Sequence, residues 1–190
     1  MSAPITVIIP TFDAAEALPA AAEALLEGVT DGLIAGLVIS DGGSGDATGE
    51  IAKELGAVWV NGPLGRGGQI ARGVEATESD WVLILHADTW LSPGWSPAAR
   101  RHMADHPDKA GYFRLRFRAG GIAPWLVAAG ANLRSRVLGL PWGDQGLLVS
   151  RKLLTSVGGV PDMPLMEDVA LARCLKGRLR MIDAEALTSA

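Results

Sequence analysis

The 190-residue chain contains a single cysteine, Cys174. One thiol excludes an intrachain disulfide and a cysteine-rich zinc site, and packing into the core from a helix is the expected role. A basic excess is missing too: Lys and Arg total 17 against 21 Asp and Glu, a net charge of −4. Nucleic-acid affinity rests on a basic face, so no nucleic-acid partner is expected. No run of about 18 apolar residues is present to span a bilayer. The longest candidate, 121–133, is broken by Pro124 and carries Asn132. The first ten residues lack the basic flank and long apolar stretch of a secretory leader, and a cytoplasmic location is the working expectation. Neither internal repeats nor low-complexity linkers interrupt the chain. Its length suits one domain, 1–190, whose core buries roughly 70% of the unfolded surface.

What is there is an alternation of short apolar runs and helical patterns. Ile5–Ile9, closed by Pro10, reads as a buried strand. Residues 14–27 carry apolar spacing of three and four, a helix. Leu37–Ser40 reads as the second strand, and it ends in Asp41-Gly-Gly-Ser-Gly-Asp46. Asp46 or Thr48 is the expected cap of the next helix. Ala57–Val60 is a third strand, followed by a Gly-rich loop over 61–68 and a helix to about Thr77. Trp81–Leu85 is a fourth strand and delivers His86-Ala87-Asp88 at its end. This order predicts an α/β fold with a parallel sheet and helices on both faces. In such sheets the ligand sits outside the carboxyl ends of the strands, where Thr11, Asp41, the 61–68 loop and Asp88 converge.

The second half, 91–190, changes character. Tyr112–Arg118 alternates as a strand with one wet and one dry face. Its arginines Arg114, Arg116 and Arg118 share a face that is either solvated or turned to an anionic acceptor or a membrane surface. Pro124 to Leu138 reads as a helix, with Trp125, Leu126, Leu133 and Val137 as its expected core stripe. Gly146–Ser150 is a further strand, Leu165 to Lys176 a helix, and Arg180–Asp183 the last strand. His102 and His106, four apart on a helical pattern, read as part of a solvated face.

Each candidate functional feature has a structural reading beside it. The Asp41 turn is either a tight connection or a carboxylate on a base or ribose. The 61–68 loop is either turn chemistry or a set of backbone N–H groups that, with Gly65 and Arg66, meets phosphates at a helix N-terminus. It is not a phosphate-binding P-loop, because no Gly-Lys-Ser/Thr follows, and the first strand lacks a dinucleotide fingerprint. Asp88 is a cap or a ligand for a hard cation such as Mg²⁺ or Mn²⁺. His86 is a second ligand, a hydrogen-bonding neighbour or a structural histidine. Glu167 and Asp168 either complement a helix dipole or supply a general base.

Taken in order, Pro10-Thr11, Asp41–Asp46, 61–73 with Arg66 and Gln69, Leu85–Thr89, Trp142-Gly-Asp-Gln-Gly146 and Met166-Glu-Asp168 resemble a family 2 glycosyltransferase. More narrowly they are similar to its small bacterial branch labelled "transferase 2, radical-SAM/selenodomain-associated". The resemblance implies a GT-A (Rossmann-like) fold, with a nucleotide-sugar-binding half over 1–90 and an acceptor and catalytic half over 91–190. It implies a nucleotide-diphosphate sugar donor, most often UDP-linked. Thr11 and Asp41 would contact the nucleoside, and Arg66, beside Gly65, the donor phosphates. Asp88 would match the last acid of Asp-x-Asp and hold Mn²⁺ or Mg²⁺. The chain departs from that pattern at His86, which stands where the first acid is expected. Asp168 would be the base, with Glu167 as a cap or acceptor-orienting group. Trp142, Asp144 and Gln145 fall on the acceptor side. The acceptor itself, a small molecule, glycan or lipid, is not legible. Relatives look longer at the C-terminus, so a truncated chain or an open acceptor side is expected.

The expected reaction is an inverting sugar transfer assisted by a divalent metal. The rivals are a sugar-phosphate nucleotidyltransferase, whose Gly-rich signature belongs after the first strand, and a non-catalytic nucleotide-binding protein of the same fold.

Overall fold

The computed structural model describes residues 3–163 and 166–189. Strand β1 (Ile5–Thr11) forms because Ile5, Val7, Ile8 and Ile9 have no exposed surface, so the strand is buried on both faces. It lies between β2 (Ile34–Asp41) and β4 (Trp81–Ile84), parallel to both. The edge strand β3 (Val58–Asn61) continues the parallel half beside β2. Register brings the strand ends level, with Thr11 opposite Asp41 and Asp41 opposite Asn61. The pairing of β1 with β4 ends at Ile8 and Ile84, so the next residues of β4 run out past the same edge.

The expected parallel sheet is thus found, but its far half is mixed. The order is β3-β2-β1-β4-β7-β6-β8-β5. Strand β7 (Leu147–Ser150) runs antiparallel to β4 and to β6 (Ala110–Phe117). Strand β8 (Leu179–Thr188) runs parallel to β6, and β5 (Trp90–Leu91) closes the edge antiparallel to β8. Alternate residues of β1 feed two cores. Ile5, Val7 and Ile9 join Leu18, Trp95 and Phe113 on one face, while Ile8 joins Val82, Val149 and Leu171 on the other.

Helices α1 (Leu18–Ala24) and α2 (Leu26–Thr30) follow β1 as one interrupted segment. In α3 (Thr48–Glu54), Asp46 Oδ1 accepts the Thr48 N–H at 3.0 Å from just before the first turn. Helix α4 (Arg66–Glu75) starts inside the Gly-rich loop rather than after it, which turns Arg66 into its first residue. It lies so close to β1 that a Cβ on Gly73 would sit 2.4 Å from Ile8 Cγ2. Helix α5 is Trp95–Asp105, α6 is Ile122–Leu138, α7 is Arg151–Ser156 and α8 is Glu167–Cys174. The expected start of α8 at Leu165 lies outside the described residues.

Three expectations are corrected. The large residues Trp125, Leu126, Leu133 and Val137 of α6 are exposed, and the small residues Ala128, Ala131 and Ser135 face the protein instead. Cys174 sits exposed at the end of α8 rather than in the core. His102 is buried, with Nε2 3.1 Å from the Lys109 carbonyl and its ring edge-on to Trp81. No helix among the described residues is long and apolar enough to cross a membrane.

Candidate active site

The carboxyl ends of the parallel strands open into a cleft of about 720 Å³. Thr11, Asp13, Gly65, Arg66, His86, Asp88 and Asp144 line it. That volume is in the range of ligand clefts. The sequence-derived candidates separate here into groups that face the opening and groups that hold it in shape.

Asp41 belongs to the second group. Its Oδ1 accepts from the Thr11 hydroxyl at 2.9 Å and the Ser44 hydroxyl at 2.5 Å, and its Oδ2 accepts the N–H groups of Gly43 and Ser44, both at 2.7 Å. Four donors fill the roughly four acceptor positions of a carboxylate. Burial works to raise the Asp41 pKa, and the Ser44, Gly43 and Thr11 hydrogen bonds together hold it below the ordinary carboxylate value. Thr11 and Asp41, expected on a nucleoside, therefore spend these side-chain contacts on each other and on the turn.

Gln69 ties this turn to α4. Its Nε2 donates to the Thr11 carbonyl at 2.7 Å and the Ser40 carbonyl at 2.9 Å, and its Oε1 accepts the Gly65 N–H at 3.2 Å. One buried amide thus sets the height of three segments at the edge of the cleft. Arg66 follows directly, and its Nε lies 3.5 Å from Glu167 Oε1. Glu167 is buried while nearly half of the Arg66 side chain is exposed, so the guanidinium is anchored at one end and open to the cleft.

The metal-type cluster contains one residue more than the motif implies. His86, Asp88 and Asp144 each offer a ligand atom within 4.8 Å of the others. Asp144 comes from the 3₁₀ turn Gly143–Gln145 just before β7, brought beside the end of β4 by antiparallel pairing. His86 Nδ1 lies 2.5 Å from Asp144 Oδ1. That hydrogen bond lowers the Asp144 pKa more than burial raises it, and the charges of His86 and Arg66 act in the same direction. Asp88 Oδ2 accepts the Ser189 hydroxyl at 2.5 Å. One imidazole and two carboxylates suit a divalent ion of the Mn²⁺ type, and the carboxylates alone suit Mg²⁺.

Asp168 stands on the other side of His86. Its Oδ2 accepts the Gly143 N–H at 2.9 Å and its Oδ1 the Val169 N–H at 2.7 Å. A side chain at 143 would collide here, since a Cβ would lie 2.6 Å from His86 Nε2 and 3.6 Å from Asp168 Oδ2. Gly143 is therefore what lets His86 sit against this turn. Trp142 borders the same recess and packs under Arg134, whose guanidinium carbon is 4.8 Å from the ring centre.

Gln145, expected on the acceptor side, is fully buried behind it. Its Oε1 accepts from Ser135 and the Trp142 N–H, and its Nε2 donates to the Phe113 carbonyl at 3.0 Å. It fastens the turn that carries Asp144. Two residues to which the sequence gives no role have unusual backbone. Asp13 lines the cleft with φ at 48°, and Met166 has φ at 64° just before Glu167. They are the non-glycine residues with positive φ among those described, and strained backbone of this kind gathers at functional sites. No spacing rule in the sequence signals either one.

With this geometry in view, likeness to known proteins is informative. The fold matches S. aureus TarS with a TM-score of 0.77 and 16% identity, over 100% of this chain and 37% of TarS. It matches M. tuberculosis glucosyl-3-phosphoglycerate synthase, solved with Mn²⁺, UDP and phosphoglyceric acid, with a TM-score of 0.67 and 23% identity. That match covers 93% of this chain and 67% of the synthase. The same synthase with Mg²⁺ and UDP gives 0.70 and 22%, over 98% and 70% of the two chains. The chain thus spans little more than a third of TarS and about two thirds of the synthase. No curated protein matches in sequence. The model of "Glycosyl transferase family 2" matches residues 6–137, and the chain belongs to that family.

Proposed function

We propose that the chain transfers a sugar from a nucleotide-diphosphate donor, with UDP as the nucleotide, to an acceptor hydroxyl with inversion. The observation that carries this reading is the meeting of His86, Asp88 and Asp144 beside Arg66 at the carboxyl edge of the parallel strands. A divalent ion held by these three residues, Mn²⁺ or Mg²⁺, would neutralise charge on the leaving diphosphate. Arg66, rigid at its Glu167 end, supplies further N–H donors to the same phosphates. The UDP complexes of the synthase support this donor class.

Asp168 takes the proton from the acceptor hydroxyl as that oxygen attacks the anomeric carbon. Two backbone N–H groups fix its orientation and leave acceptor positions free on both oxygens. Glu167 is bound to Arg66 and stays in a holding role. The small bacterial branch of the family rests on the ordered motif set quoted above.

The test is release of UDP from a panel of UDP-sugars with Mn²⁺ present, with GDP- and TDP-sugars alongside. Turnover of a UDP-sugar that stops with a chelator is expected. Absence of both turnover and binding across the whole panel would overturn the reading.

A further inference from the structure

Helix α6 exposes the wrong face for a helix of a monomeric globular protein. At 100° per residue, Ile122, Leu126, Leu133 and Val137 fall within about 60° of one another. They are 78%, 57%, 63% and 70% exposed. Ala128, Ala131 and Ser135 fall on the opposite side and are buried against the body of the protein. The helix is therefore anchored by small residues and holds large aliphatic side chains outward in both its halves, with Ala129 and Gly130 between them on the same face. An isolated exposed leucine needs no explanation, but a continuous outward stripe of this kind marks an interaction surface.

Charge selects the partner. Residues 110–141 contain five arginines and no acid, in a chain whose net charge is −4. Arg114 and Arg116 are offset by Asp183 and Glu185 of β8. Arg118, Arg134 and Arg136 have no acidic partner among the described residues. Arg134 and Arg136 flank the aliphatic stripe on its two sides, about 90° from its centre in one direction and about 70° in the other. Arg118 stacks on Trp90 with its guanidinium carbon 4.0 Å from the ring centre and lines a groove with Pro124 and Trp125. An outward aliphatic stripe bordered by arginine and one tryptophan is the pattern of a helix that lies in a membrane interface. The helix is not long and apolar enough to cross the bilayer. A second copy of the chain is a poorer occupant, because a two-fold contact sets this face against itself and it offers no carboxylate to meet the arginines.

We propose that the outward face of α6 docks the protein on an anionic lipid surface, with Ile122, Leu126, Leu133 and Val137 entering the interface and Arg118 and Arg136 meeting the headgroups. Docking is independent of the donor chemistry proposed above and is measured without substrate.

The experiment is co-sedimentation of the whole chain with vesicles of phosphatidylcholine, alone or with about one third phosphatidylglycerol. Each arginine near an anionic surface contributes about fivefold, so two predict on the order of 30-fold stronger partition onto the anionic vesicles. Binding should weaken at about 0.5 M salt, where screening is nearly complete within a few ångströms. The double variant Leu126→Gln/Leu133→Gln should lose binding with little change in melting temperature, since both side chains are more than half exposed. Arg136→Gln, which leaves the stripe intact, should lower only the anionic component. Equal partition onto both vesicle types, or no partition at low salt, would overturn the proposal. So would a dimer of the wild type that the double variant dissociates, because the stripe would then belong to a second copy.

Discussion

Replacing Asp41 by Asn asks whether this carboxylate holds the turn or the nucleoside. The two oxygens face different partners. Oδ2 receives two backbone N–H groups that cannot reverse, whereas Oδ1 receives two hydroxyls that can rotate and accept. The Asn side chain should therefore place its NH₂ toward Thr11 and Ser44 and keep its oxygen on Gly43 and Ser44. All four contacts survive in number, but each loses its charge. A hydrogen bond to a charged group contributes about 1.5–3 kcal/mol and a neutral one about 0.5–1.5. Summed with partial compensation, the loss is about 2–3 kcal/mol, or roughly 4–12 °C in melting temperature for a domain of this size. The same carboxylate has a pKa below its ordinary value when folded, so the unfolded chain binds its proton first as the pH falls. Its contribution is complete above about pH 4 and disappears as the pH drops through the folded value. Asp41→Asn should flatten that acid limb as well as lower the melting temperature at pH 7. Thermal unfolding of both proteins between pH 3 and 7, with uridine affinity measured alongside, decides the matter. An unchanged melting temperature with uridine binding alone weakened would refute the structural account of Asp41.

Further outcomes follow from the same geometry. Arg66→Ala should weaken UDP about 10- to 150-fold more than uridine, from about 1.5–3 kcal/mol in phosphate contacts, and calorimetry with both ligands separates this from the general loss caused by leaving Glu167 unpaired. Equal weakening of the two ligands would place Arg66 away from the diphosphate. Asp168→Asn keeps the acceptor oxygen for one of its two N–H partners but cannot take a proton, so turnover should fall by about 10²–10⁴ while UDP affinity stays constant. Burial holds the His102 pKa below its ordinary value, so the unfolded chain takes up that proton first on acidification. Stability should therefore decline as the pH drops below about 6.5 and level off beneath the folded value. His102→Gln should remove that slope from the melting curve, and a slope of equal size in the variant would assign it to another group.

The parallel half of the fold was legible because its signal is local. The short apolar runs at Ile5–Ile9 and Trp81–Ile84 read as buried strands from their own residues and closing turns, and ligand-bearing ends follow from their direction. The cleft residues Arg66, His86 and Asp88 were legible for the same reason. The meeting of Asp144 with His86 was not legible, because nothing local states that β7 returns antiparallel beside β4. The buried position of Gln145 was not legible because its partners, Ser135 and Phe113, lie on elements whose packing is not written in its neighbourhood. The α6 stripe failed for a different reason. A pattern with large residues on one face and small ones on the other does not say which side turns inward, and close packing on β6 selected Ala128, Ala131 and Ser135. Cys174 illustrates the same limit at the end of α8.

On the proposed function, Asp88, with His86 and Asp144, couples a divalent metal to nucleotide-diphosphate binding at this edge of the sheet. Titration of UDP into the wild type and Asp88→Ala, each with and without Mn²⁺, tests it most directly. Mn²⁺ should tighten UDP by at least about tenfold in the wild type, a coupling of about 1.4 kcal/mol, and Asp88→Ala should remove this difference while its metal-free affinity stays near the wild-type value. Equal UDP affinity with and without Mn²⁺ in the wild type, or a full metal effect surviving in Asp88→Ala, would contradict it.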